Sequence, residues 1–206
     1  MTTKNWLVLG CKGCGSVIVE SALTIAGIPY DREEADYSTP AGRERLLQFN
    51  PLAQVPTVIL PDGTQMTESL ALIHHIDDVK PKAKLIPKVG DPLRPTALRY
   101  LTFLVTAIYP TFTYGDEPAK WVGDAGPALK ESTLAHRKRL WQYLDGVAKG
   151  PATFLGTFSA IDLYLAAMTR WTPGRDWFEK HAPKLHAIGS ALDNDSRLAK
   201  LWAANF

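Results

Sequence analysis

Three short runs of the chain carry side chains and backbone that could do chemistry. The first is Asn50-Pro51-Leu52-Ala53-Gln54-Val55-Pro56, which leads into Thr57-Val58-Ile59-Leu60, a β-branched run that reads as a buried strand. A proline at the opening of a central strand is unusual. A cis Val55-Pro56 bond accommodates it and turns the Val55 N–H and C=O toward a ligand instead of a neighbouring strand. The second run is Thr67-Glu68-Ser69, where a helix begins. Its first N–H groups, the Ser69 hydroxyl and the helix dipole suit a carboxylate, while Glu68 suits an ammonium. Together they match the zwitterionic end of an amino acid. The third run is Gly10-Cys11-Lys12-Gly13-Cys14-Gly15-Ser16, between a strand and a helix. Cys14 lies ahead of the helix start, where thiols are nucleophilic, and Cys11 and Cys14 have the C-x-x-C spacing of dithiol exchange.

The elements that must position these runs follow from periodicity. Trp6 to Gly10 reads as a strand, Ser16 to Ala26 as a helix, and Ile28-Pro29-Tyr30 leads into a second strand. Pro61-Asp62-Gly63 returns the Thr57 strand as a hairpin with a partner near Gln65-Met66. The helix from Glu68-Ser69 has apolar positions Leu72, Ile73, Ile76 and Val79 at helical spacing. The segment Lys80 to Lys88 is too rich in proline and lysine to continue a helix or a strand and reads as a linker. Beyond it, Leu98, Leu101, Val105 and Ile108, then Leu140, Leu144 and Val147, mark two long helices, the first bent at Pro110. Ser159 and Asp162 have the spacing of a capping box, whose Ser159→Ala substitution is expected to cost about 1 kcal/mol or more.

The runs Asn50 to Ser69 and Ala26-Gly27-Ile28-Pro29-Tyr30 resemble the glutathione transferase family. The resemblance implies an α/β N-terminal thioredoxin-like domain (βαβαββα) over residues 1–80, a linker over 81–90 and an all-α helical domain over 91–206. It further implies glutathione as co-substrate, held by Gln54, Val55, Pro56, Glu68 and Ser69. Counting back from Ala26, the family's active-site positions fall on residues 13 to 16, which leaves Cys14 and Ser16 as catalytic candidates, with Ser16 also readable as a helix N-cap. The subclasses that activate glutathione with an N-terminal tyrosine carry it in or just after the first strand, and this chain has none there.

The leading expectation is an enzyme that brings the glutathione thiolate to a small hydrophobic electrophile. A thiol transferase or disulfide reductase using Cys14 is the alternative, and a non-enzymatic ligand-binding protein of the same fold a third. For dithiol exchange the glutaredoxin-like register places the Cys11 and Cys14 pair one or two positions early. The second substrate is expected in a cleft between the domains, near aromatics drawn from Tyr109, Phe112, Tyr114, Trp121, Trp171, Trp202 and Phe206. A homodimer is implied by resemblance, although the acid that many members borrow from the neighbouring subunit's first long helix has no counterpart between Leu93 and Tyr114.

Composition narrows the classes further. A chain of 206 residues that is 46% apolar can bury a full core, and its net charge of +2 comes from interspersed charges with no basic block, so neither nucleic acid nor an anionic membrane is implied. Leu7-Val8-Leu9-Gly10-Cys11 resembles a lipoprotein cleavage box, but the apolar stretch before it is too short for a signal peptide. Two cysteines give no disulfide framework, which makes a reducing cytoplasm the expected compartment. His74-His75 point in different directions on a helix, so no metal is expected.

Overall fold

The computed structural model describes residues 5–206, so residues 1–4, on which the signal-peptide reading partly rests, lie outside it. Strand β1 (Trp6–Gly10) carries the supposed cleavage box into the middle of a sheet, with Val8 and Leu9 fully buried. Helix α1 (Ser16–Ala26) crosses over to β2 (Tyr30–Glu34), which pairs parallel to β1 as a strand, helix, strand crossover requires. The crossover ends on Gly27, whose φ of 64° is the left-handed geometry that closes a helix. Helix α2 (Pro40–Leu47) starts with the Thr39 hydroxyl accepting from Gly42 N–H at 3.1 Å and proline in its first turn.

Strands β3 (Thr57–Ile59) and β4 (Gln65–Met66) form the expected hairpin, and helix α3 (Ser69–Val79) follows. The sheet order is β2-β1-β3-β4, with β3 antiparallel to both neighbours. Leu72, Ile73 and Ile76 face inward from α3 as read, whereas Val79 at its end is 46% exposed. On the other face, Leu9, Ala35, Leu46, Ala53 and Ile59 form a buried cluster edged by Leu7, Phe49 and Val55.

The expected linker is more ordered than its composition suggests. Pro81–Ala83 form a 3-10 turn, and Leu85 and Ile86 are buried with their N–H groups on Asp77 Oδ1 at 3.0 and 3.3 Å. The chain divides into two compact units, one running to Ile86 and including Leu192–Phe206, the other spanning Pro87–Ala191. The tail therefore departs from the expected all-helical domain over 91–206. Two hydrogen bonds give the physical reason: Gly13 N–H donates to Asn205 Oδ1 at 3.1 Å, and the tail closes on itself as Trp202 Nε1–H donates to Leu192 C=O at 2.9 Å.

The second unit is helical: α4 (Arg94–Phe103), α5 (Tyr109–Asp116), α6 (Ala119–Val122), α7 (Gly126–Val147), α8 (Ala160–Met168), α9 (Arg175–His181) and most of α10 (Pro183–Asp193). The last helix, α11 (Ala199–Asn205), belongs to the tail. Between α4 and α5, Leu104–Ile108 form a wider π turn. The irregularity precedes Pro110, which lacks the N–H to bond the residue 106 carbonyl and would clash with it in a regular helix. Arg137 is buried, with Nε and Nη2 donating to Thr111 Oγ1 and C=O at 2.9 and 2.6 Å, Nη1 to Thr172 C=O at 3.1 Å, and its guanidinium 3.6 Å from the Phe112 ring centre. No helix of the described residues is long and apolar enough to cross a membrane.

Ser159 and Asp162 form the reciprocal box at the start of α8, and the carboxylate is its stronger arm. Ser159 N–H donates to Asp162 Oδ2 at 2.8 Å and Phe154 N–H to Oδ1 at 2.7 Å. The hydroxyl arm is loose, because Asp162 N–H donates to the Ser159 carbonyl at 3.0 Å. Ser159→Ala should therefore cost less than the about 1 kcal/mol of an ordinary cap, and Asp162→Ala about 3 kcal/mol from buried N–H groups left unpaired, both readable by urea unfolding. Burial pushes the Asp162 carboxyl up to about 7 against the pull of those two N–H groups. Its proton is held in the folded state and released from the unfolded chain between the usual carboxylate range and about 7. The group's stabilising contribution is thus full in acid and falls as pH rises through that window, a slope that Asp162→Asn should remove.

Candidate active site

Sheet register decides which loops meet. Gly10 lies opposite Glu34 in the parallel pair, Leu9 opposite Thr57 and Val58 opposite Met66 in the antiparallel ones. The segments that follow β1, follow β2, precede β3 and follow β4 therefore all leave the sheet at one end. All three runs singled out from the sequence lie there, joined by a fourth segment after β2.

The run ahead of β3 is braced from inside. Val55-Pro56 is cis, and pairing of β3 with β1 begins only at Thr57, which leaves the Val55 N–H and C=O outside the ladder. Asn50, only 5% exposed, donates through Nδ2 to Gln54 C=O at 3.3 Å and Thr57 Oγ1 at 3.1 Å, and accepts from Leu52 N–H at 3.0 Å. The Thr57 hydroxyl donates to the same Gln54 carbonyl at 2.7 Å. Asn50 and Thr57 thus fix the path of Gln54 and Val55, while the Gln54 side chain stays exposed and Pro56 is buried.

At α3, Glu68 occupies the cap position with φ 64° and ψ 105°, a conformation that non-glycine residues rarely adopt. Its carbonyl accepts from Leu72 N–H at 3.0 Å, and its side chain, which makes no capping bond to the first turn, is exposed beside the half-buried Ser69. An exposed carboxylate and the N-terminal end of a three-turn helix are adjacent.

The run after β1 is a reverse turn. Cys14 N–H donates to Cys11 C=O at 3.1 Å, with Gly13 at φ 71° in the third position, where a side chain would be strained. Cys14 is half-buried, and its Sγ lies 3.9 Å from the Tyr37 hydroxyl. Tyr37 comes from the segment after β2, which no sequence pattern marked. Ser16 is not the helix cap. It is 0% exposed and is the first residue of α1, with Gly15 at the cap. Its Oγ accepts from Cys11 N–H at 3.2 Å and donates to Cys11 C=O at 3.3 Å, so its hydroxyl braces the turn from below. Gly10 makes room for it, since a Cβ there would stand 2.7 Å from Ser16 Oγ. Beneath Ser16 lies Glu20, fully buried, with Arg32 Nε 3.2 Å from its Oε2. Burial raises the Glu20 carboxyl above its ordinary range, with Arg32 and Ser16 pulling the other way.

The aromatics expected around a second substrate fall into separate groups. Tyr109, Phe112 and Trp171 meet edge to face at 5.5 to 6.4 Å, Tyr114 and Trp121 pair at 4.9 Å, and Trp202 and Phe206 belong to the tail.

The sheet, the cis proline at its end and the thiol-bearing turn define a thioredoxin-like unit built for thiol chemistry, carried in one chain with a helical unit. Residues 16–79 match the model of the glutathione S-transferase N-terminal domain. The uncharacterized GST-like protein YncG of Escherichia coli K12 is 37% identical over 96% of this chain and 97% of its own, and glutathione transferase GST 23 of Zea mays is 31% identical over 84% and 75%. A glutathione transferase homolog from Sulfitobacter, solved with bound glutathione, superposes with a TM-score of 0.83 at 21% identity over 98% of both chains. The chain belongs to the glutathione S-transferase family.

The run ahead of β3 hangs on Asn50. Asn50→Ala should destabilise the protein by about 2 kcal/mol in denaturant unfolding, since it leaves buried partners unpaired. A change below a few tenths would show that the run is held by something else.

Proposed function

We propose that this glutathione transferase holds glutathione across the end of its sheet and presents the thiolate to a small hydrophobic electrophile. Glu68 receives the γ-glutamyl ammonium, while Ser69 and the first N–H groups of α3 receive the adjoining carboxylate. The Val55 N–H and C=O, outside the sheet ladder, pair with the peptide backbone of glutathione as a further strand would. Gln54 and Pro56 set the edge of that track. The observation that carries this reading is the register, which brings Val55, Glu68, Ser69 and Cys14 to one end of one sheet.

The sulfur of glutathione then lies toward the turn after β1. Cys14 and the neighbouring Tyr37 hydroxyl can donate to a thiolate, and Cys14 can also form a mixed disulfide with glutathione by exchange with a disulfide substrate. Ser16 acts through the turn and not on the ligand. Lowering a thiol pKa by one unit requires about 1.4 kcal/mol of preferential thiolate stabilisation, the scale of one charge-assisted hydrogen bond. Little visible acid and base machinery is therefore needed, and orientation of the thiolate against its target does most of the work. A second reading, thiol transfer through Cys14, is favoured by the accessibility of that thiol. A homodimer is the assembly in which we expect the enzyme to act.

Calorimetric titration of the reduced protein should show glutathione binding that Glu68→Ala and Ser69→Ala each weaken by about ten-fold or more, the value of a hydrogen bond to a charged group. Unchanged affinity in both would remove the γ-glutamyl anchor from this helix end. Cys14→Ser should leave measurable conjugation of a model electrophile if Cys14 only assists, and abolish turnover of a disulfide substrate if it is the covalent nucleophile.

A further inference from the structure

We propose that Cys11 and Cys14 are a working dithiol, with Cys14 attacking a disulfide substrate and Cys11 resolving the product by closing an internal disulfide. The inference rests on the glutathione site described above and adds a residue and a reaction to it.

The geometry of the turn carries the case. Residues at the first and fourth positions of a hydrogen-bonded reverse turn have Cα atoms within about 7 Å, the separation beyond which a disulfide cannot close without backbone movement. Both thiols are free, with Cys11 Sγ 3.9 Å from the Lys12 carbonyl oxygen and Cys14 Sγ 3.9 Å from the Tyr37 hydroxyl. The register that placed this pair too early for a glutaredoxin-like helix start loses its force, because a turn and not a helix brings the two residues together. That turn is held at every peptide group. Cys11 N–H is on Ser16 Oγ at 3.2 Å, Lys12 N–H on Glu34 Oε1 at 3.0 Å, Gly13 N–H on Asn205 Oδ1 at 3.1 Å and Cys14 N–H on Cys11 C=O at 3.1 Å. Its anchors come from α1, β2 and the C-terminal helix, so the approach of the two residues is built into the backbone.

The two cysteines also differ as the two roles require. Cys14 is half-buried and reachable, whereas Cys11 is 9% exposed. Burial, and after it the neighbouring Cys14, pushes the Cys11 thiol up, so it stays protonated while Cys14 reacts. With glutathione disulfide, the Cys14 thiolate attacks one sulfur, forms a mixed disulfide and expels one glutathione thiolate. Cys11 gives its proton to that thiolate through solvent, attacks Cys14 Sγ and expels the second glutathione. The sum oxidises two protein thiols to one disulfide and reduces glutathione disulfide to two glutathione molecules.

The test exposes the reduced full-length protein to glutathione disulfide, blocks remaining thiols with an alkylating agent and reads the intact mass. The wild type should lose both alkylatable thiols together and retain no glutathionyl group, while Cys11→Ala should trap one glutathionyl group on Cys14. A wild type that accumulates the mixed disulfide overturns the proposal, as does one that keeps both thiols when exposed to a small aromatic disulfide as well. The aromatic disulfide needs no γ-glutamyl anchor and so separates the two readings. Closure with it but not with glutathione disulfide upholds the dithiol and removes the glutathione site. Glutathione binding by calorimetry without closure by either reagent does the reverse.

Discussion

The antiparallel pairing that sets Thr57 opposite Leu9 is the constraint on which the site depends. Side chains alternate along a strand, so a slip of one residue would turn the buried set of β3 to its other face, and that set is packed on both sides. The same residue whose backbone opens the ladder also holds the loop ahead of it, since the Thr57 hydroxyl donates to Gln54 C=O and accepts from Asn50. Register and loop shape are therefore one decision. Once Leu9 faces Thr57 and Val58 faces Met66, the turn after β1 and the start of α3 must share the end of the sheet where Val55 leaves it.

What lies under that end is electrostatically expensive. Glu20 is a fully buried acid, close to a partly exposed Arg32 and below the Ser16 hydroxyl. Such a pair adds little net stability compared with apolar packing, because both groups leave water. Its value is positional, since Ser16 reaches the Cys11 backbone from a place framed by Glu20 and by the missing side chain of Gly10. Glu68 is a second local concession, a non-glycine residue at positive φ on the rim of the site. Strained residues of this kind persist where the surroundings over-determine them, and they cluster at sites that bind.

Much of this was legible in the chain. The β-branched run after Pro56, the Asp62-Gly63 turn and the apolar spacing of α3 gave the hairpin and helix, and the motif residues fell where the register could join them. Ser16 does not cap its helix, and a serine at a helix start looks the same in sequence whether it caps the helix or reaches back to the turn before it. Tyr37 and Asn205 were invisible for another reason. Their partners, Cys14 and Gly13, are distant in sequence, and no periodicity marks a loop tyrosine or a C-terminal asparagine. The tail left its expected domain on the strength of the same kind of contact. Asn50 could have been found, since an asparagine ahead of a turn regularly bonds backbone two residues on, as it does to Leu52.

The most direct test of the central claim is an amide spectrum of isotope-labelled, reduced protein recorded during titration with glutathione. The account predicts that the largest shifts fall together on the amides of Val55, Ser69, Leu70 and Cys14, with the α7 and α8 amides unmoved. Shifts confined to the helical unit, with those four amides unchanged at saturation, would contradict it.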